Sequence, residues 1–126
     1  MINFYKFYNI LESVDLSIIS EKIFSGMSPE IINRGHCYNW ALAAKYYLKS
    51  GQLFADDAHA FIYYDGRYYD ATEPLGVDNL MELPVIKNNG IVGELRKVSS
   101  KQLRDYVVAK LRSPALDSGQ IKKALG

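Results

Sequence analysis

The sequence predicts an α+β domain with helices on either side of a small antiparallel sheet, and three observations carry that reading. Residues 33 to 51, "NRGHCYNWALAAKYYLKSG", hold Cys37, Trp40, Ala41, Ala44, Tyr47 and Leu48 at the spacing of one helix face. The period then changes at "AHAFIYYDGRYYDAT", where aromatic and β-branched residues flank Asp65-Gly66, the strongest short hairpin signal a sequence offers. Towards the C-terminus, Ser99 with Gln102 and Asp117 with Gln120 stand at capping-box spacing, each ahead of an apolar helical pattern.

Taken in order, residues 3 to 12 place Phe4, Phe7, Tyr8 and Leu11 at helical spacing, and residues 15 to 24 repeat this with Leu16, Ile19 and Phe24. Two short helices follow from that. Gly26 ends the second, and Ser28-Pro29-Glu30 supplies a cap, a first-turn proline and an acid matched to the helix dipole, opening a short turn through Ile32. Gly51 is the natural terminator of the helix begun at Cys37. Strands are expected at about residues 58 to 64 and 67 to 72. Residues 73 to 90, with Pro74, Gly76, Pro84 and "KNNG", read as mostly loop with one helical turn near "VDNLMEL", and "GIVGELRKV" as a third strand. The helix after Ser99 buries Leu103, Tyr106, Val107 and Leu111, and Pro114 limits it.

Composition narrows the function classes. A chain of 126 residues supports one hydrophobic core, so residues 1–126 are read as a single domain. Fifteen basic against fourteen acidic residues leave a net charge of +1, without the basic excess that announces nucleic acid or an anionic membrane. One cysteine cannot form an internal disulfide, which favours a reducing compartment. Glu12 and Asp15 interrupt the apolar run of the first residues, no signal peptide is read there, and no stretch has the length of a membrane span. The expectation is a cytoplasmic protein with no nucleic acid and no membrane as partner.

The hairpin arranges the polar residues. With Asp65-Gly66 as a two-residue turn, Tyr64 pairs with Arg67, Phe61 with Asp70 and His59 with Thr72. His59 and Asp70 then share a face of neighbouring strands, at a diagonal of roughly 7 to 8 Å that their side chains can close. Cys37 opens a helix, where unpaired N–H groups and the positive dipole end favour a thiolate and can stabilise an oxyanion. A helix start near the hairpin makes Cys37 the nucleophile, His59 its base and later the acid, and Asp70 the group that orients the imidazole. Gly35, with no side chain, lets a substrate backbone come close. His36 is read as exposed, as a substrate contact or as a cap. Asn33, His36 and Asn39 are the candidates for a second oxyanion donor beside the Cys37 N–H.

The segments "GHCYNWALAAKYYL" and "HAFIYYDGRYYDA", in that order, resemble the core of transglutaminase-like and papain-like cysteine enzymes, and "RGHC" is similar to arylamine N-acetyltransferases. The likeness spans about residues 33 to 74 and transfers Cys37, His59 and Asp70 by motif. It implies a minimal papain-like core: N-terminal helices, the nucleophile helix on a small antiparallel sheet, and C-terminal helices. Only 22 residues separate Cys37 from His59, shorter than in such families, and Phe61 stands where tryptophan is often found. The likeness also favours Asn33 as the oxyanion donor. The implied activity is acyl transfer from an amide (peptide, isopeptide or glutamine side chain) through a Cys37 thioester, without cofactor, on a protein or peptide-like substrate.

Each of these residues has a plainer reading. A lone cysteine is most often a core residue, His59 alone a hydrogen-bonded structural histidine, and Asp70 alone a strand-end acid receiving backbone N–H bonds. The set His36, Cys37, His59 and Asp70 matches no standard zinc spacing, and no metal is expected. The ten tyrosines are read as hairpin faces and not as a stacking platform for bases. A different class of function, a catalytically silent scaffold acting as a protein-binding or inhibitory module, uses the same fold.

Overall fold

The computed structural model describes residues 14–126, and the helix expected over residues 3 to 12 lies outside them. Within them the chain is α+β, with six helices and one five-stranded antiparallel sheet. Helix α1 (Ser17–Ile23) buries Ile19, and its two flanking cap residues, Leu16 and Phe24, are buried with it as their spacing predicts. Helix α2 (Pro29–Gly35) is capped by Ser28, whose Oγ accepts from Ile31 N–H at 3.3 Å, with Pro29 at its first position. It runs past Ile32 to Gly35, longer than the expected turn, and His36 links it directly to the next helix.

Helix α3 (Cys37–Leu48) is the centre of the molecule, touching α1, α2, both C-terminal helices and three strands. Its first two turns are therefore buried on more than one face: Tyr38, Leu42 and Ala43 go inside with Trp40, Ala41 and Ala44, while Tyr47 is exposed. Trp40 Nε1 donates to Ser20 Oγ at 3.0 Å, which satisfies the buried indole. The helix ends earlier than Gly51. Lys49 takes the left-handed position at φ 57°, and Gly51, at φ 99°, instead marks the close approach of the first strand's entrance to the Tyr63 carbonyl.

The strands are β1 (Gln52–Ala55), β2 (Ala60–Tyr64), β3 (Arg67–Asp70), β4 (Glu73–Val77) and β5 (Arg96–Val98), in the spatial order β4-β3-β2-β1-β5. The β2–β3 hairpin has the expected register, Tyr64 with Arg67 and Ile62 with Tyr69, around a turn with Asp65 and Gly66 at positive φ. His59 precedes β2 by one residue, and β3 stops at Asp70, so both strands are shorter than expected. β1 has no signal in the sequence: its four residues follow a helix terminator without a flanking turn signal of their own.

Residues 73 to 90 are more ordered than a loop. Pro74 sits in β4 because β4 is an edge strand, where a missing N–H is tolerated. A bulge between Tyr68 and Asp70 offsets β4, and Gly76 at φ 83° lets the Tyr69 ring pass where a Cβ would stand 2.8 Å from it. A 3₁₀ turn (Leu80–Glu82) with an Asn79–Glu82 capping box leads to α4 (Pro84–Asn89), with Pro84 at its first position. These pack Leu83 and Ile86 against Phe61 on one face of the sheet, while α3 covers the other. The capping boxes at Ser99–Gln102 and Asp117–Gln120 form as predicted and start α5 (Ser100–Ala109) and α6 (Ser118–Leu125). Leu103 and Val107 are buried, whereas Leu111 lies beyond the helix and is exposed. No described helix is long and apolar enough to cross a membrane.

Candidate functional site

The start of β2 and the end of β3 lie at one end of the sheet, and the elements on either side bring polar residues there. Cys37 is the first residue of α3, and no side chain caps that helix start: His36 occupies the cap position without a side-chain hydrogen bond. Its ring instead packs towards Phe24, with centroids 6.0 Å apart. Around the point where a Cβ of Gly35 would stand, nothing lies within 4 Å, so there is open space over the backbone just before the cysteine.

His59 and Asp70 meet as the shared face predicts. Nε2 of His59 donates to Oδ2 of Asp70 at 3.0 Å, with the two residues 0% and 1% exposed. The carboxylate is fixed from the other side too. Asp70 Oδ1 accepts from Thr72 N–H at 2.9 Å, Thr72 Oγ1 at 2.7 Å and Glu73 N–H at 3.0 Å, closing the turn into β4. Asp70 thus closes the turn with one oxygen and holds the imidazole with the other. Burial raises the carboxyl pKa, but the His59 and Thr72 hydrogen bonds and the imidazole charge outweigh it and hold it below its ordinary value.

The imidazole is shifted the opposite way. Burial opposes its charge, yet Asp70 and the nearby Cys37 sulfur overcome that opposition and raise its pKa to about 9. At neutral pH this makes His59 an imidazolium whose Nε2–H donates to Asp70. Its Nδ1 makes no hydrogen bond among the described residues, which leaves a buried ring nitrogen without a partner. Cys37 itself is 2% exposed.

The oxyanion candidates are placed differently from their sequence reading. Asn33 uses its amide nitrogen on Asp70 Oδ2 at 3.3 Å and Thr72 Oγ1 at 3.2 Å, so it braces the acid and has no free donor for an oxyanion. Its Oδ1 is buried without a partner among the described residues. Asn39 is committed to the chain ahead of α6, donating to the Pro114 carbonyl at 3.1 Å and accepting from Leu116 N–H at 2.9 Å. His36 faces Phe24. What remains at the sulfur is the uncapped start of α3, whose backbone N–H groups have the chemistry an oxyanion needs.

Two residues that the sequence reading passed over complete the site. Asp56, 1% exposed, accepts from Ala58 N–H at 2.8 Å and His59 N–H at 2.7 Å through Oδ1, and from Val92 N–H at 2.9 Å through Oδ2. It fixes the backbone that carries the imidazole. The signal was present in "DDAH", an aspartate two and three residues before the amides it accepts from. Thr72 has the same kind of signature in "DAT". Among the described residues, no group of three or more His, Cys, Asp and Glu side chains is placed to hold a metal ion.

Comparisons with protein-family models, curated proteins and solved structures give no significant match to the chain.

Proposed function

We propose that this chain is a small thiol enzyme acting on amides by acyl transfer through a Cys37 thioester, with the papain-like and transglutaminase-like organisation that its motifs resemble. The observation that carries the reading is the buried His59–Asp70 pair at 3.0 Å, whose second ring nitrogen has no hydrogen-bond partner among the described residues and whose imidazole pKa Asp70 and Cys37 together raise. In this reading the Cys37 sulfur attacks the carbonyl carbon as a thiolate; the C–N bond breaks as the protonated His59 gives its Nδ1 proton to the leaving amine. The neutral imidazole then takes a proton from water or an amine as that group attacks the thioester, and the sulfur departs as thiolate beside a reprotonated His59. Water gives hydrolysis and an amine gives transfer. The substrate class is a protein or peptide-like amide, and the lone free cysteine supports a reducing, cytoplasmic setting.

The test is alkylation by iodoacetamide at pH 6. Wild type should react much faster than free cysteine, and His59→Ala should lose that advantage while retaining its urea midpoint to within the loss expected of a core substitution. Equal, ordinary rates in both proteins overturn the reading.

One observation favours a second reading, a catalytically silent binding scaffold: Cys37 is 2% exposed. That reading expects Cys37 to resist iodoacetamide in the folded protein and to react only on unfolding, so the same experiment separates the two.

A further inference from the structure

A cavity of about 320 Å³ lies beside the site, walled by Ala55, Asp56, Arg96, Gln102, Leu103 and Tyr106. Two of its wall residues contact the backbone of His59 and the neighbour of Cys37. Asp56 holds the His59 N–H at 2.7 Å, and the Tyr106 ring sits 5.5 Å from that of Tyr38, the residue after Cys37.

Its electrostatic character follows from who is already paired. The two Asp56 oxygens are occupied by three backbone N–H groups, which disperse the charge and leave little acceptor capacity for a ligand. Arg96 pairs with Ala55 across the β1–β5 ladder, so its side chain leaves the sheet on the face that Ala55 shares with the cavity. Among the described residues the guanidinium makes one hydrogen bond, Nη2 to the exposed Asp57 Oδ1 at 3.3 Å. A guanidinium carries five N–H donors, so Arg96 keeps free donors, and Gln102 and Tyr106 add neutral polar groups to the wall. The next residue, Lys97, pairs with Phe54 and so sends its side chain to the other face, which leaves Arg96 as the cation of this cavity.

We propose that this cavity is the subsite for an acidic side chain of the substrate, a glutamate or aspartate close along the chain to the amide that Cys37 attacks. The inference rests on the thiol-enzyme reading. The volume suits one such side chain with its hydration, and a fork of N–H donors suits a carboxylate.

The experiment uses the full chain and N-chloroacetyl dipeptide amides that carry Glu, Gln or Lys, with kinact/KI for Cys37 alkylation read by mass spectrometry. The Glu reagent should exceed the Gln reagent by about tenfold, the scale of a charge-assisted hydrogen bond, and exceed the Lys reagent by more. Arg96→Glu should reverse the order and favour Lys, a gain that misfolding cannot produce. Fast iodoacetamide alkylation of wild type with equal rates for the three peptides overturns the subsite and leaves the thiol reading standing. A preference for Glu that persists in Arg96→Glu overturns the assignment to this cavity. Slow, His59-independent alkylation by iodoacetamide removes the thiol reading and the subsite with it.

Discussion

Asp56 Oδ1 lies 2.7 Å from the backbone N–H of His59, so the imidazole is anchored through its own main chain by a carboxylate three residues earlier. The same side chain reaches Val92 at 2.9 Å and ties the segment before β5 to the histidine. Asp56→Ala would leave three N–H groups without their acceptor and should lower stability by roughly 3 kcal/mol or more, since each stranded group costs about 1 kcal/mol or above. Asp56→Asn keeps one oxygen and should lose about half as much. Urea midpoints check the ranking, and faster hydrogen exchange at Val92 in Asp56→Asn checks the mechanism.

The His59–Asp70 pair makes stability depend on pH at both ends. The His59 pKa is raised from 6.5 to about 9, so its contribution is complete below 6.5 and is lost as the pH climbs towards about 9. The Asp70 pKa is lowered from 3.8, so its contribution is present above 3.8 and lost as the pH falls through the depressed value. Urea midpoints should therefore fall on the alkaline side well before lysines titrate, and His59→Gln should flatten that fall. Titration of the imidazole Cε1–H by NMR should give a midpoint near 9; one near 6.5 would contradict the pairing.

Asn33 donates to Asp70 Oδ2 at 3.3 Å, and replacing that donor with an acid tests its bracing role. Asn33→Asp sets a second carboxylate against the first, and at neutral pH the two repel within a buried space. The loss of stability relative to wild type should be largest at pH 7.5 and should shrink by pH 4.5, where one of the pair is protonated. An equal deficit at both pH values would mean that the amide packs without bracing the acid.

Lys49 takes the left-handed conformation at φ 57° at the end of α3, where a side chain is unfavourable. Lys49→Gly should stabilise the protein by about 1 kcal/mol. For a domain of this size that is roughly a 3–5 °C rise in Tm by calorimetry. Cys37 alkylation should be unaffected, because the two positions are at opposite ends of α3.

Much of the arrangement was legible because it is written in local chemistry. Asp65-Gly66 fixes a two-residue turn, the turn fixes the register, and the register puts His59 and Asp70 on one face. Caps at Ser28, Ser99 and Asp117 announced three helix starts for the same reason: the donor and acceptor lie within four residues of each other. The failures are where distant packing decides. β1 becomes a strand because β2 and β5 flank it, which its four residues do not encode. Pro74 read as a breaker because its place on the edge of the sheet is a property of the topology. Asn33 looked like an oxyanion donor from its position ahead of Cys37, yet the contact that claims it comes from a residue 37 positions away.

Asp70 divides its two oxygens between different duties, Oδ1 closing the turn into β4 and Oδ2 holding His59. The fold therefore has its own reason to keep an aspartate there, whatever happens at the sulfur. Under the proposed thiol-enzyme reading, a descendant that abandoned the reaction would retain Asp70 to preserve the turn, and nothing in the hydrogen bonding of Cys37 would protect the thiol in the same way. Were such chains compared, position 37 would record the loss of chemistry first, and position 70 would be silent about it.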